Sequence, residues 1–180
     1  MIIFYTLILY FFSGTYGGHG IELIEINYPS SDVIEGVKIT GDPNVPMKKV
    51  TFRADLNKAI VLSKEEQESA DCESLQSIME MSSFQRFDFD SDQDSSPPFQ
   101  PFMVPPDAYQ RAKFDRFKQC LYRFIGEAQV SPIDYSDPSF IPAHVIVFDC
   151  DTFGVLFLTI RSMSLYSRIN ENFGAVRGRP

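Results

Sequence analysis

The chain has 180 residues, with 16 Lys and Arg against 24 Asp and Glu, a net charge of −8 when histidines are neutral. Hydrophobic residues make up 44% and charged residues 22%, which excludes a fully disordered chain, a collagen-like repeat and a protein that crosses a membrane several times. Two His, three Cys and no Trp leave few metal ligands and few bases, and 17 Phe must carry the aromatic packing.

Residues 2–12 form an unbroken apolar run followed by the small residues Ser13, Gly14, Thr15 and Gly17. The run is shorter than the roughly 20 residues a spanning helix needs. It matches the apolar region of a secretory signal peptide, although no Lys or Arg precedes it. Cleavage after Gly17 would give a 1–17 signal peptide and one mature domain over 18–180. Residues 20–27 alternate apolar and acidic positions and predict a strand. Residues 28–46 are rich in Pro, Gly and Ser and predict loop, with a short strand over 36–40. Thr51 as a cap, with Phe52, Leu56, Ala59 and Ile60 on one face, predicts the main helix over 53–68. A second, short helical stretch covers 74–81.

Composition breaks over 84–106, where Asp88, Asp90, Asp92 and Asp94 precede Pro97, Pro98, Pro101, Pro105 and Pro106. This predicts a disordered acidic and Pro-rich loop. The alternating aspartates are not a calcium loop, because Gln93 and Phe99 occupy the positions that need Gly and Glu. Residues 107–118 predict a helix, and five Lys or Arg fall between Arg111 and Arg123. Strands are predicted over 120–125, 144–148, 153–160 and 164–169, with the middle pair joined as an antiparallel hairpin. Helices first and strands after them predict an α+β fold.

Chemistry is sparse. No Gly-rich phosphate loop follows a strand, and His144 stands alone as a candidate base. No catalytic, cofactor-binding or metal-ligating residue is assigned, and no cofactor is expected. Cys72, Cys120 and Cys150 allow one disulfide in any of three pairings, which the sequence does not choose between.

Tyr122-Arg123-Phe124, His144-Val145-Ile146-Val147-Phe148, Gly154-Val155-Leu156-Phe157-Leu158 and Asn172-Phe173 together resemble the core of the small guanyl-specific fungal ribonucleases. The run resembles still more the ribonuclease-like secreted effectors of powdery mildew fungi. The likeness covers residues 122–173. It departs from the family in a short hairpin, a long segment before Asn172 and a missing closing Cys. It implies a microbial-ribonuclease-like fold, with one main helix packed on an antiparallel sheet. It places the family's base on Arg123, its phosphate-binding Arg on Val145 and its acid on Leu158, none of which can serve that role. The resemblance therefore implies a pseudo-ribonuclease rather than an enzyme. The expected protein is a monomeric virulence effector, secreted and open to transfer into a host cell. It would bind a host protein or RNA and would use no membrane and no nucleotide cofactor; Arg161, Arg168, Arg177 and Arg179, with the run from Arg111 to Arg123, could make one basic face, against ordinary solvated arginines as the alternative. The alternative is a secreted, β-rich, lipocalin-like carrier of a small ligand, which would need about eight strands.

Overall fold

The computed structural model of the chain describes residues 11–15, 20–81, 99–109 and 111–169. Eight strands close into an antiparallel barrel. They are β1 (Phe11–Thr15), β2 (Ile21–Ser30), β3 (Val33–Lys38), β4 (Val50–Ala59), β7 (Tyr122–Val130), β8 (Ser139–Val147), β9 (Thr152–Phe157) and β10 (Ser162–Arg168). Each pairs with its neighbour in chain order, and β1 closes the ring on β10. Between β4 and β7 the chain leaves the barrel to build an outer layer. That layer carries α1 (Lys64–Ser69), α2 (Cys72–Met81), β5 (Gln100–Pro101), β6 (Gln119–Cys120) and a single 3-10 turn at Arg111–Lys113.

The expected α+β fold with one main helix is therefore wrong: the described residues form a closed β-barrel with two short helices outside it. The predicted main helix over 53–68 is largely β4. Phe52, Leu56, Ala59 and Ile60 satisfy a helical period, but Phe52, Ala54 and Leu56 also satisfy a period of two, with Arg53 exposed and Asp55 and Asn57 half-buried between them. A register shift between Ala54 and Ala59 returns Ala59 to the interior, so both periods fit the same residues. The predicted helix over 107–118 shrinks to the 3-10 turn.

Strand alternation separates two cores. Inward residues, among them Phe12, Ile24, Phe52, Phe124, Val145, Phe153 and Tyr166, fill the barrel. Phe12 meets Phe153 edge-on at 5.0 Å, and Phe153 stacks on Tyr166 at 5.0 Å. Two inward glycines make room for these rings: a Cβ on Gly14 would strike Tyr166, and one on Gly36 would strike Phe52. Eight strands leave an interior that side chains can fill. They fill it here, so the strand count of the lipocalin-like alternative is met, but among the described residues packed side chains occupy the interior where its ligand would sit. Outward residues of β7, β8 and β9, including Ile125, Ile146 and Leu156, form the second core with the outer layer.

The N-terminal residues have a structural job. Phe11–Thr15, which take in the end of the apolar run and the small residues after it within the supposed 1–17 export signal, pair with both β2 and β10. Residues 1–10 lie outside the described residues, as do 82–98, which hold most of the predicted acidic loop. The rest of that loop is packed: Phe102 and Val104 are buried in the second core. Among the described residues, no helix is long and apolar enough to cross a membrane. The expected disulfide is also absent. Cys72 and Cys120 are buried free thiols and Cys150 is an exposed one. Burial, with a hydrogen bond to Asp107, pushes the Cys72 thiol up to about 12, and burial pushes Cys120 up to about 11.

Candidate functional site

The outer layer is fastened to the barrel by two buried glutamines. Ser63 caps α1 through a reciprocal pair: its hydroxyl accepts from the Glu66 amide at 3.2 Å, and its amide donates to the Glu66 carboxylate at 2.7 Å. The cap fixes the start of the helix, and Gln67 is the residue that α1 buries. Its Nε2 donates to the carbonyls of Leu62 (3.0 Å) and Pro101 (2.8 Å). Its Oε1 accepts from the Met103 amide at 2.9 Å and from Arg123 at 3.0 Å. Gln100 donates to the Ile60 carbonyl at 3.3 Å and accepts from the Leu62 amide at 3.4 Å. These contacts hold residues 60–62 and 100–103 side by side, which neither short segment would do alone.

Arg123 and His144 stand beneath this staple on the outer face of the barrel wall, both fully buried. Arg123 Nη1 faces His144 Nδ1 at 3.4 Å. An arginine can only donate, so this contact assigns the ring the neutral tautomer with its proton on Nε2, which has no partner among the described residues. Burial, reinforced by the Arg123 charge, holds His144 well below its ordinary pKa. Burial likewise lowers Arg123. Among the described residues the polar partners of Arg123 are an amide oxygen and an imidazole, neither of them an anion, and its Nε has no partner. The cation instead lies over the face of Phe102, 5.5 Å from the ring centre. A buried charge without a counter-ion is costly, and strongly perturbed groups of this kind cluster at functional sites, though structural networks also produce them.

Phe102 is also the floor of a groove of about 250 Å³ on the outside of this layer. Val104 and Phe114 complete the buried floor, while Met103 and Phe117 are half-buried walls. Phe148 lies under it, stacked on Phe117 at 4.1 Å and edge-on to Phe102 at 4.9 Å. The rim carries Lys64, Arg111 and Lys118 against one carboxylate, Asp115. All four of these rim side chains except the half-buried Arg111 are exposed.

The open end of the barrel holds a second, smaller hollow of about 70 Å³ between Lys38, Asp42, Asn44, Thr51 and Gln129. It is electrostatically closed. Lys38 pairs with Glu22 at 2.9 Å and with Asp42, and Tyr166 donates to Glu22 at 2.7 Å. Burial alone would raise Asp42, but hydrogen bonds from Lys38 and from the Val45 and Asn44 amides outweigh it and hold the carboxyl below its usual range. The small volume, and one lysine shared between two carboxylates, make this hollow part of the packing of the barrel end.

The residues singled out from the sequence do not assemble. Val145 faces the barrel interior, whereas Leu158 lies in the outer core and Arg123 behind it, so the three share no site. The proposed basic face is also dispersed. Arg161 pairs with Asp107 at 3.4 Å and Arg168 with Asp151 at 2.8 Å, and Arg177 and Arg179 lie outside the described residues. The basic run between Arg111 and Arg123 does reach the groove, but through Arg111 and Lys118 rather than through Arg123.

A family model described as the Cyclin D1 binding domain matches residues 10–172. The chain is 28% identical over 196 residues to F-box only protein 31 of Mus musculus, covering 90% of this chain and 38% of that protein. It is 28% identical over 204 residues to F-box only protein 31-B of Xenopus laevis, covering 91% of this chain and 39% of the relative. It is 25% identical over 214 residues to F-box only protein 31 of Homo sapiens, covering 90% and 39%. The chain thus spans less than two fifths of the length of these relatives. These matches overturn the resemblance to ribonuclease-like effectors of powdery mildew fungi, and with it the reading of a secreted fungal virulence effector or pseudo-ribonuclease. The short runs around residues 122–173 matched because consecutive antiparallel strands carry similar apolar strings in unrelated barrels and sheets. The secreted localisation falls with them: the relatives are vertebrate F-box only proteins, and part of the supposed signal is a barrel strand. The match begins just before β1 and ends just past β10, so it spans the whole closed barrel with its outer layer, and the chain belongs to the Cyclin D1 binding domain family.

Proposed function

We propose that this chain is a protein-recognition module that works by binding rather than by chemistry, and that its partner is a D1-type cyclin. The observation that carries this reading is the family match over residues 10–172, which takes in every described element. The structure is in keeping with it. The barrel interior is filled by side chains, so a rigid scaffold presents its outer surface rather than an internal cavity. His144, the residue first considered as a base, is sealed from solvent and neutral, so it meets no substrate. The groove over Phe102 and Phe114 is smaller than the roughly 300–1,000 Å³ of small-molecule sites, and suits one or two side chains of a protein partner.

Titration of the purified chain with purified cyclin D1 in a calorimeter tests the reading. Saturable one-to-one binding is expected, with a negative heat-capacity change from apolar burial. Absence of saturable heat, at concentrations up to about 1 mM, which corresponds to roughly −4 kcal/mol, would overturn it.

A further inference from the structure

We propose that the groove between the 101–104 segment and the 111–118 segment seats an acidic stretch of the partner protein. One apolar side chain of that stretch enters between Phe102, Phe114 and Phe117, and flanking carboxylates meet Lys64, Arg111 and Lys118. The proposal rests on the protein-binding reading above and names the surface and the chemistry that reading leaves open.

Charge complementarity selects the occupant. The whole chain carries −8, yet three cations line the rim of this groove. Lys64 meets Glu68 at 3.4 Å and Arg111 meets Asp115 at 3.9 Å in exposed pairs that are weak enough for a partner's carboxylates to replace, and Lys118 adds a third positive charge. Lys64 and Lys118 come from opposite ends of the outer layer, 54 positions apart in sequence, and Arg111 comes from a third segment. Folding therefore brings cations from three segments to an exposed apolar hollow of this layer. Behind the floor, Arg123 adds a fourth cation that no anion among the described residues answers, 5.5 Å from the centre of the Phe102 ring. A cation held in a low-dielectric interior is screened little by salt, so its field reaches the groove more effectively than a surface lysine would. A carboxylate arriving at the rim would relieve some of the cost of leaving Arg123 unpaired.

The same geometry argues against a nucleic acid. A backbone-tracking site needs a long basic stripe with exposed stacking rings. Here Phe102 and Phe114 are buried floor, Asp115 sits among the cations, and the net charge opposes a polyanion. An apolar hollow ringed by a few cations instead fits one anchor side chain with acidic neighbours, in which the anchor supplies affinity and the charges supply orientation and encounter rate.

The test uses the intact chain and a fluorescent synthetic peptide in which Asp and Glu flank a central Leu-Phe pair, read by anisotropy. Two further peptides replace the acids by Asn and Gln, or the Leu-Phe pair by Ala-Ala. The acidic peptide should bind at least about tenfold more tightly than either relative, a difference of about 1.4 kcal/mol. Its affinity should fall as ionic strength rises from about 0.01 to 0.15 M, which shortens the screening length from about 30 to 8 Å. The exposed-rim variant Lys64→Glu/Arg111→Glu/Lys118→Glu should lose the preference for acid. The control Lys48→Glu/Lys49→Glu, on another loop, should keep it. Equal binding of the acidic and neutral peptides, or binding of neither, overturns the proposal, and these arms need only the wild-type chain. Titrating cyclin D1 against the same variants separates the two levels. Cyclin binding that survives the rim reversal sinks the groove and leaves the protein-binding reading standing, whereas failure of the wild-type chain to bind cyclin D1 sinks that reading.

Discussion

Phe12 is the sharpest probe of whether the N-terminal run belongs to the barrel. Its side chain is fully buried and packs edge-on to Phe153, with the Arg168 guanidinium 5.7 Å from its ring centre. Truncation to Ala removes the ring from a filled interior and leaves a cavity that the closed ladder cannot collapse around. The expected cost of Phe12→Ala is about 3–5 kcal/mol. In a domain of this size each kcal/mol moves the midpoint by about 2–4 °C, so Tm should drop by roughly 6–20 °C. Phe11 is the control. It is the neighbouring residue on the opposite face and half of its surface is exposed, so Phe11→Ala should cost within about 1 kcal/mol. Removing residues 1–17 should do more, because it strips β1 and leaves β2 and β10 with unpaired edges in place of a closed ring. Thermal unfolding followed by circular dichroism measures all three. A Phe12→Ala shift no larger than that of Phe11→Ala, or a truncated chain that melts like the full one, would refute the claim that β1 is part of the barrel.

Gln67→Ala should cost about 2–4 kcal/mol in chemical denaturation, since the Leu62 and Pro101 carbonyls, the Met103 amide and Arg123 all lose a buried partner; a loss under about 0.5 kcal/mol would show that the staple is replaced by water. His144 is held well below its ordinary pKa by burial and by Arg123, so the unfolded chain binds its proton more readily than the folded one. Stability from this residue is complete above the unfolded pKa of about 6.5 and is lost as pH falls below it, by up to about 1.4 kcal/mol per pH unit. His144→Gln should flatten the difference in stability between about pH 7.5 and 5.5, and an unchanged slope would contradict the assignment. Reducing agent should leave Tm unchanged, because all three cysteines are free thiols, and a reductant-dependent drop would point to a disulfide.

The sequence was most readable where one period acted alone. The alternation over 20–27, the β-branched string at 144–148 and the hairpin after it all became barrel strands, β2, β8 and β9. It misled where two periods coincided. In β4 the helical spacing of Phe52, Leu56 and Ala59 arises because a register shift moves Ala59 back inside. The N-terminal run misled for another reason: β1 is a short strand in a residue run whose length also suits a signal peptide, and its partners lie in β2 and in β10, about 150 residues away. His144 drew attention as a candidate base and Arg123 as a residue unable to be one, but strand alternation put both on the wall's outer face, under the described part of the outer layer. The groove was only partly legible. The cluster of cations starting at Arg111 was visible, but its apolar floor joins Phe102 to Phe114 through a pairing of β5 with β6 that no local pattern announces.

Hydrogen–deuterium exchange of the intact chain, with and without saturating cyclin D1, tests most directly where a partner sits. Binding at the groove predicts slowed amide exchange in residues 101–104 and 111–118, with the loops at the open end of the barrel, residues 41–48 and 131–136, unchanged. Protection confined to those barrel-end loops, with the 101–104 and 111–118 segments exchanging as in the free chain, would contradict it.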